Sequence, residues 1–440
     1  MLVPEALAYA SIAGVSPVVG LYAAPGALIL YAALGSSRQL VVGPMAATAA
    51  LSAATVAALV PVGDNRFAAL TAGLAITTGL AALIAGVLRL GFLASFISEP
   101  VMKGFIVGLA LTIIIGQVPK LFGIGKGSSD FFEQLWHVIT HLGDTHGLTL
   151  IVGALSLAVI FGLRHFAPAV PGSLVAVLLG IAAVKLLDLD QHGVEIVGPI
   201  KSGLPSLGIP KIRGSDVGAL AAGGIGVMLV GFAEGLGAAK TYAAREHQQI
   251  DVNRELLGLG GANLAAALTS GMVVNGSVSQ TAVNASAGAR SQLSGLIVAA
   301  LTSITLLALT GLFEDLPEAT LSAVVIAAVI ELVDVPSLIK LYRAYSRRLG
   351  REFGFVARPD FIAAIAALLG VTVFDTLPGL FIGITVSLLL LIYRASRPYI
   401  ATLGQTPAWQ LSRHRPPPRR TRTRPHRAPP HRERPVLRER

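Results

Sequence analysis

The sequence predicts an all-α polytopic membrane protein of fourteen spans, built as two halves of seven. Three observations carry this. Mean hydropathy is +0.71, with 53% hydrophobic and only 13% charged residues, against about 25% charged in a soluble globular chain. Apolar stretches recur along most of the 440 residues, long enough to cross a hydrocarbon core of ~30 Å. The loops between them alternate in charge. This pattern excludes a signal peptide followed by a soluble domain. Cysteine is absent, which rules out disulfides and thiolate metal sites.

Taken in order, spans are read at about 1–15, 18–35, 43–60, 66–88, 94–120, 147–163, 170–187, 216–240, 253–271, 276–288, 291–312, 317–333, 360–376 and 379–395. The first is short, because about fifteen residues of helix cover only ~22 Å; a truncated or misassigned start is expected. The third is rich in small residues and the tenth is short and polar, so neither reads as a full crossing. Arg38, Arg89, Arg164, Lys240, Arg245, Arg254 and Arg290 fall on one side, with the dense stretch 340–360 and Arg394 and Arg397. The other side mixes Arg66, Lys120, Lys126, Lys201, Lys211 and Arg213 with acidic residues, among them Glu314 and Asp315. The positive-inside rule makes the first side, and the C-terminus, cytoplasmic.

The halves echo each other. Each opens with a glutamate among small residues: LVPEALAYASIAG with Glu5 and LVGFAEGLGAAKTYA with Glu234. Each has a polar, glycine-marked third segment: LVVGPMAATAAL and VVNGSVSQTAVN. Seven spans per half require opposite topology, and an inverted repeat with matching broken helices points to a substrate site at mid-membrane. Non-helical backbone is tolerated at that depth only if buried in protein or lining a cavity. An extended VVNGS followed by a half-helix from Ser277 leaves free N–H groups there, and a helix N-terminus is a ready anion site. Pro44 fits the first turn of the matching half-helix.

The substrate site is therefore read at Gly43, Pro44, Met45 and Ala46 on the first segment. On the second it comprises Gly276, Ser277, Val278, Ser279, Gln280 and Thr281. Ser277, Ser279, Gln280 and Thr281 can donate to oxyanion oxygens, and the glycines admit close backbone approach. Intramembrane carboxylates are costly and mark function, so Glu5 and Glu234 are read as proton-coupling residues. The nine histidines are scattered in loops and the C-terminal tail, with no metal-ligand pair in a span. No metal, cofactor or catalytic residue is expected, and the protein is not read as an enzyme.

The net charge of +10 does not imply nucleic-acid binding. Residues 411–440 hold eleven arginines against Glu433 and Glu439, a net +9, which leaves +1 for the rest. The segment 405–440 is read as a disordered, Arg/Pro-rich cytoplasmic tail.

Together these stretches resemble the SulP sulfate-permease family, whose animal relatives include prestin. The resemblance is carried by LVPEALAYASIAGVSPVVGLYAA, GSSRQLVVGPMA, VGFAEGLGAAKTYAAREHQQIDVNRELLGLGGANL, GSVSQTAVNASAGARSQLSG and LPEATLSAVVIAAV. It runs from residue 2 to about 404, so the transporter domain is taken as 1–404. The resemblance implies the uracil-permease-like fold, with short strands before the third and tenth half-helices. It implies a core domain (about 1–88 and 216–312) and a gate domain (about 94–187 and 317–395). It also implies elevator transport, an anion held between the two half-helices, and a homodimer in the cell membrane. Relatives usually carry more N-terminal sequence and a C-terminal STAS domain, which is not recognisable here. Many sulfate carriers have Ser-Arg where this chain has Ser279-Gln280.

That difference bears on charge. Two half-helix ends supply together about one positive charge, so a dianion beside an ionised Glu5 leaves the site strongly negative. Proton-coupled symport of sulfate or a dicarboxylate answers this, and a monoanion such as bicarbonate is the alternative, as carrier or exchanger. A channel-like anion protein, a nucleobase–proton symporter and a truncated, non-transporting remnant are the remaining readings. The second is disfavoured because residues 275–295 contain no Asp or Glu.

Overall fold

The computed structural model describes residues 2–92, 99–125, 127, 130–168, 170–200, 203–205, 207–330, 333, 358–374, 376–396, 403–405 and 411–413. The basic stretch 340–357 and the tail beyond 413 lie outside the described residues. Helices are α1 (Leu2–Ile12), α2 (Pro17–Leu34), α3 (Ala46–Ala57), α4 (Phe67–Val87), α5 (Glu99–Phe122), α6 (Phe131–Thr140), α7 (Gly147–Phe166) and α8 (Gly172–Leu187). The series continues with α9 (Gly214–Arg245), α10 (Val252–Leu268), α11 (Val278–Ser286), α12 (Leu293–Ile304), α13 (Glu318–Ile330), α14 (Arg358–Phe374) and α15 (Thr376–Ala395). Each of the fourteen expected stretches overlaps one of these helices. Among the described residues, six segments are long and apolar enough to cross a membrane; the last joins α12 to the π and 3-10 turns that carry it on to Phe313. This is a mostly helical, multi-pass membrane fold.

The chain solves its burial problem as a protein in lipid does. Its helices are apolar all round, so large apolar side chains face outward: Val87 is 72% exposed and Phe166 84%. Polar side chains turn inward instead, among them Thr48, Ser52, Thr71, Asn263 and Asn275. Small residues let the helices approach closely. A Cβ on Gly20 of α2 would lie 2.0 Å from the carbonyl oxygen of Ala6 on α1. One group of helices packs around α2, α4, α9 and α10; in another, α5 packs on α13 and α14, and α7 on α8 and α13.

Ion pairs tie helix ends together. Arg66 pairs with Asp216, Lys120 with Glu318 at 3.1 Å and Lys185 with Asp315 at 3.1 Å. Arg66, Lys120 and Asp315 belong to the same set of loops by charge pattern, and they meet neighbouring ends here. The amphipathic helix α6 was not expected. It leaves Phe132, Trp136 and Ile139 exposed, and at ten residues it is too short to register as a span.

Two strands sit inside this helical body. β1 (Val41–Gly43) pairs antiparallel with β2 (Asn275–Ser277), in the register Val41 with Ser277, Val42 with Gly276 and Gly43 with Asn275. All six residues are buried. Separately, Leu403–Gln405 (β3) pairs antiparallel with Leu411–Arg413 (β4), so the start of the segment expected to be disordered, 405–440, holds a short strand.

Candidate functional site

The β1–β2 ribbon joins the two polar segments that the sequence singled out. Because the strands are antiparallel, α3 leaves beyond Gly43 and α11 leaves beyond Ser277, at opposite ends of the ribbon. Their first turns therefore flank one short stretch of backbone, ~7 Å between its outer residues at strand rise. The first N–H groups of each helix have no intrahelical partner. Met45 precedes α3 in an extended conformation and offers no side-chain cap. Pro44 thus lies ahead of the helix rather than in its first turn, as the extended Met45 separates the two. At α11 the cap is Ser277, whose Oγ accepts from the backbone N–H of Gln280 at 3.2 Å.

The expected side chains divide by what they touch. Ser277 and Ser279 share a hydrogen bond at 3.3 Å. Gln280 donates from Nε2 to Oε2 of Glu5 at 2.7 Å, which brings α1 to α11. Gly43 comes close to Gln280, since a Cβ there would lie 4.0 Å from its Oε1 and 3.4 Å from Leu2. Thr281 accepts from the Val41 N–H at 3.0 Å, so its hydroxyl also fastens α11 to β1. Met45, Ala46 and Gly276 are buried, whereas the Val278 side chain is 40% exposed and leaves mainly backbone to contribute. Glu234 lies on α9 between Gly231 and Gly235. Both glycines face β2, and a Cβ on either would sit 3.1 Å from the Asn275 side chain.

Several polar atoms here have no partner. Among the described residues, Gln280 Oε1, Glu234 Oε2 and both amide atoms of Asn275 are buried without a hydrogen bond. Each such atom costs on the order of 1–3 kcal/mol, and a cluster of them at one ribbon calls for an explanation by ligand or water.

Sequence reasoning missed the network that holds the ribbon in place. Glu255 on α10 is 3% exposed and accepts from Tyr31, Ser36 and Ser37. Asn263, on the same helix, bonds the N–H and C=O of Val274. Gln292 donates to the carbonyls of Ser37 and Leu40, and Asn284 to that of Gln39. The missed signal was Asn263, an asparagine inside the apolar, glycine-rich run LLGLGGANLAAAL; Glu255 stands at the charged start of the same helix, beside Asn253 and Arg254.

The sulfate permease family model matches residues 1–348. The chain belongs to that family. A probable sulfate transporter of Mycobacterium tuberculosis is 37% identical over 406 residues, covering 92% of this chain and 70% of that protein. Probable sulfate transporter 4.2 of Arabidopsis thaliana is 32% identical over 422 residues, covering 94% of this chain and 60% of the plant protein. The chain thus spans 60% to 70% of these relatives' length. Among solved structures, the overall structure of SLC26A9 matches with TM-score 0.81 at 22% identity, covering 92% of this chain and 65% of that one. The transmembrane domain of the cyanobacterial bicarbonate transporter BicA matches with TM-score 0.74 at 21% identity, covering 86% and 93%. At these identities the likeness speaks for the fold. Sulfate permeases are transporters rather than enzymes.

Proposed function

We propose that this protein is a secondary active transporter of small anions of the sulfate type, driven by protons. The observation that carries the reading is the pairing of Val41–Gly43 with Asn275–Ser277, which brings two helix N-termini to one buried ribbon beside Glu5. Two such ends attract an anion. The named site residues include no cation, so the charge argument favours a second, titratable partner. The relatives are themselves called sulfate transporters, which supports the substrate class.

Glu5 and Gln280 form a pair suited to coupling. As an ionised carboxylate, Glu5 accepts the Gln280 N–H. Once protonated it can donate, and Oε1 of Gln280 is the matching acceptor. Turning the amide over satisfies that bond and swings the Gln280 N–H₂ away from Glu5, free to meet an oxyanion. Proton and anion would then load together. Glu234, with its own buried oxygen lacking a partner, is the second proton-coupling candidate.

The wider architecture follows the same reading. Fourteen spans form two inverted repeats of seven, in the cell membrane with a cytoplasmic C-terminus. The helices around α2, α4, α9 and α10 form a core that carries the anion. Those around α5, α7, α8, α13 and α14 form the gate against which it moves as an elevator, within a homodimer. Bicarbonate is the second substrate reading, because a monoanion balances two helix ends without a proton.

Labelled sulfate uptake into proteoliposomes, with and without an inward proton gradient, tests this in wild type and Glu5→Gln, with bicarbonate and fumarate as competitors. Gradient-driven accumulation in wild type alone is the expected result. Equal uptake under both conditions removes the proton coupling and leaves an exchanger or uniporter.

A further inference from the structure

We infer that α10 is the strut that fixes the spacing of the two strands, with Glu255 and Asn263 as its positioning residues. The inference rests on the transport reading above, because it concerns the geometry of that site. Glu255 Oε1 accepts from the Ser36 N–H at 2.8 Å, the Ser36 hydroxyl at 2.7 Å and the Ser37 N–H at 2.8 Å. Its Oε2 accepts from the Tyr31 hydroxyl at 2.8 Å. The hold extends toward β1, since Ser37 Oγ accepts in turn from the N–H groups of Gln39 and Leu40. A buried carboxylate with four donors is fully satisfied, and removing any of them leaves charge exposed to an apolar surround.

Asn263 does the corresponding work for β2. Its side-chain nitrogen donates to the Val274 carbonyl at 3.0 Å and its oxygen accepts from the Val274 N–H at 3.0 Å, one residue before the strand starts. A second bond from the same nitrogen to the Leu259 carbonyl, at 2.9 Å, locks the amide to α10 itself.

The register makes these two holds complementary. β1 starts opposite the end of β2, and β2 starts opposite the end of β1. The approaches to the strands therefore come from opposite ends of the ribbon. Glu255 and Asn263 stand eight residues apart on one helix, ~12 Å along its axis at helical rise. One rigid element grips the ribbon from both ends and sets how far apart the two helix N-termini stand. An anion held between dipole ends is sensitive to that separation.

The test uses full-length protein in nanodiscs and proteoliposomes, with Glu255→Gln, Asn263→Leu and the milder Asn263→Asp. Hydrogen exchange at 36–43 and 272–277 is expected to rise at least tenfold at the segment beside each substitution, and to rise across the ribbon in the partner strand. The half-saturating sulfate concentration is expected to rise about tenfold while the maximal rate stays within threefold. Unchanged protection in Glu255→Gln and Asn263→Asp overturns the strut. So does lost protection with unchanged half-saturation, which makes the contacts structural only. If wild type moves no sulfate, the transport reading fails by itself, and exchange across the ribbon still decides whether α10 couples the strands.

Discussion

The side chains of Gln280 and Glu5, 275 residues apart in sequence, meet through a hydrogen bond of 2.7 Å between Nε2 and Oε2. It is a contact between a short helix beside a strand ribbon and the first helix of the chain. Charge-assisted bonds of this kind are about twice as strong as neutral ones. Gln280→Leu removes the donor and leaves a carboxylate buried at 4% exposure without it. Sulfate uptake is expected to fall at least tenfold with or without a proton gradient, read in the same proteoliposomes.

Gln280→Arg tests the charge argument from the other direction. A guanidinium beside Glu5 supplies the positive charge that the site residues lack, and it stabilises the ionised carboxylate. The ratio of uptake with and without the gradient should move toward one, and half-saturation by a dianion should drop. Uptake measured against sulfate concentration at two external pH values reads both quantities.

Close packing gives a paired stability test. Gly20→Ala puts a methyl where the Ala6 carbonyl oxygen stands, 2.0 Å from the ideal Cβ. Overpacking of this kind costs about 1–3 kcal/mol, and backbone on both sides leaves little room to yield. Gly237 on α9 has nothing within 4 Å of its Cβ position; alanine there improves helix propensity by about 1 kcal/mol. Thermal unfolding in detergent should shift down for Gly20→Ala and up for Gly237→Ala.

Helix α6 carries a stripe of Phe132, Trp136 and Ile139, which are 55%, 67% and 51% exposed. Spacings of four and three residues put them on one face, and the helix follows soon after the end of α5. Aromatic side chains of this kind favour the membrane interface. With Trp409→Phe to isolate the signal, Trp136 fluorescence is expected to be quenched by lipids brominated near the headgroup. Quenching by aqueous iodide instead counts against an interfacial position.

The positions of the helices and of the ribbon were legible because the bilayer penalises polar groups so heavily. A run such as NGSVSQTAVN between apolar stretches needs a purpose, and its echo at LVVGPMAATAAL supplies the partner. Glu255 was not legible. It ends a charged stretch, EHQQIDVNRE, where one more glutamate looks like a solvated loop residue. Its donors Tyr31, Ser36 and Ser37 lie about 220 positions away, and nothing local marks them. The Glu5–Gln280 bond is a similar case: both residues were singled out, but their meeting depends on how α1 is laid against α11. Helix α6 escaped because an amphipathic segment of ten residues carries neither the length nor the uniform apolarity of a span.

The pairing of Val41 with Ser277 also sets an order of assembly. At about 5–20 residues per second, the ribosome needs roughly 12–47 s to travel from one to the other. For that time β1 exists without its partner, inside or beside the bilayer, with one row of peptide groups unmatched. The short α3 behind it, twelve residues long, has α1 and α4 for neighbours but waits for α9 to complete its packing. Half of the site must be sheltered by the translocation machinery or by neighbouring helices until the other half arrives. An interrupted synthesis in this window would release a chain with an open strand edge, the form most prone to pair with the wrong partner.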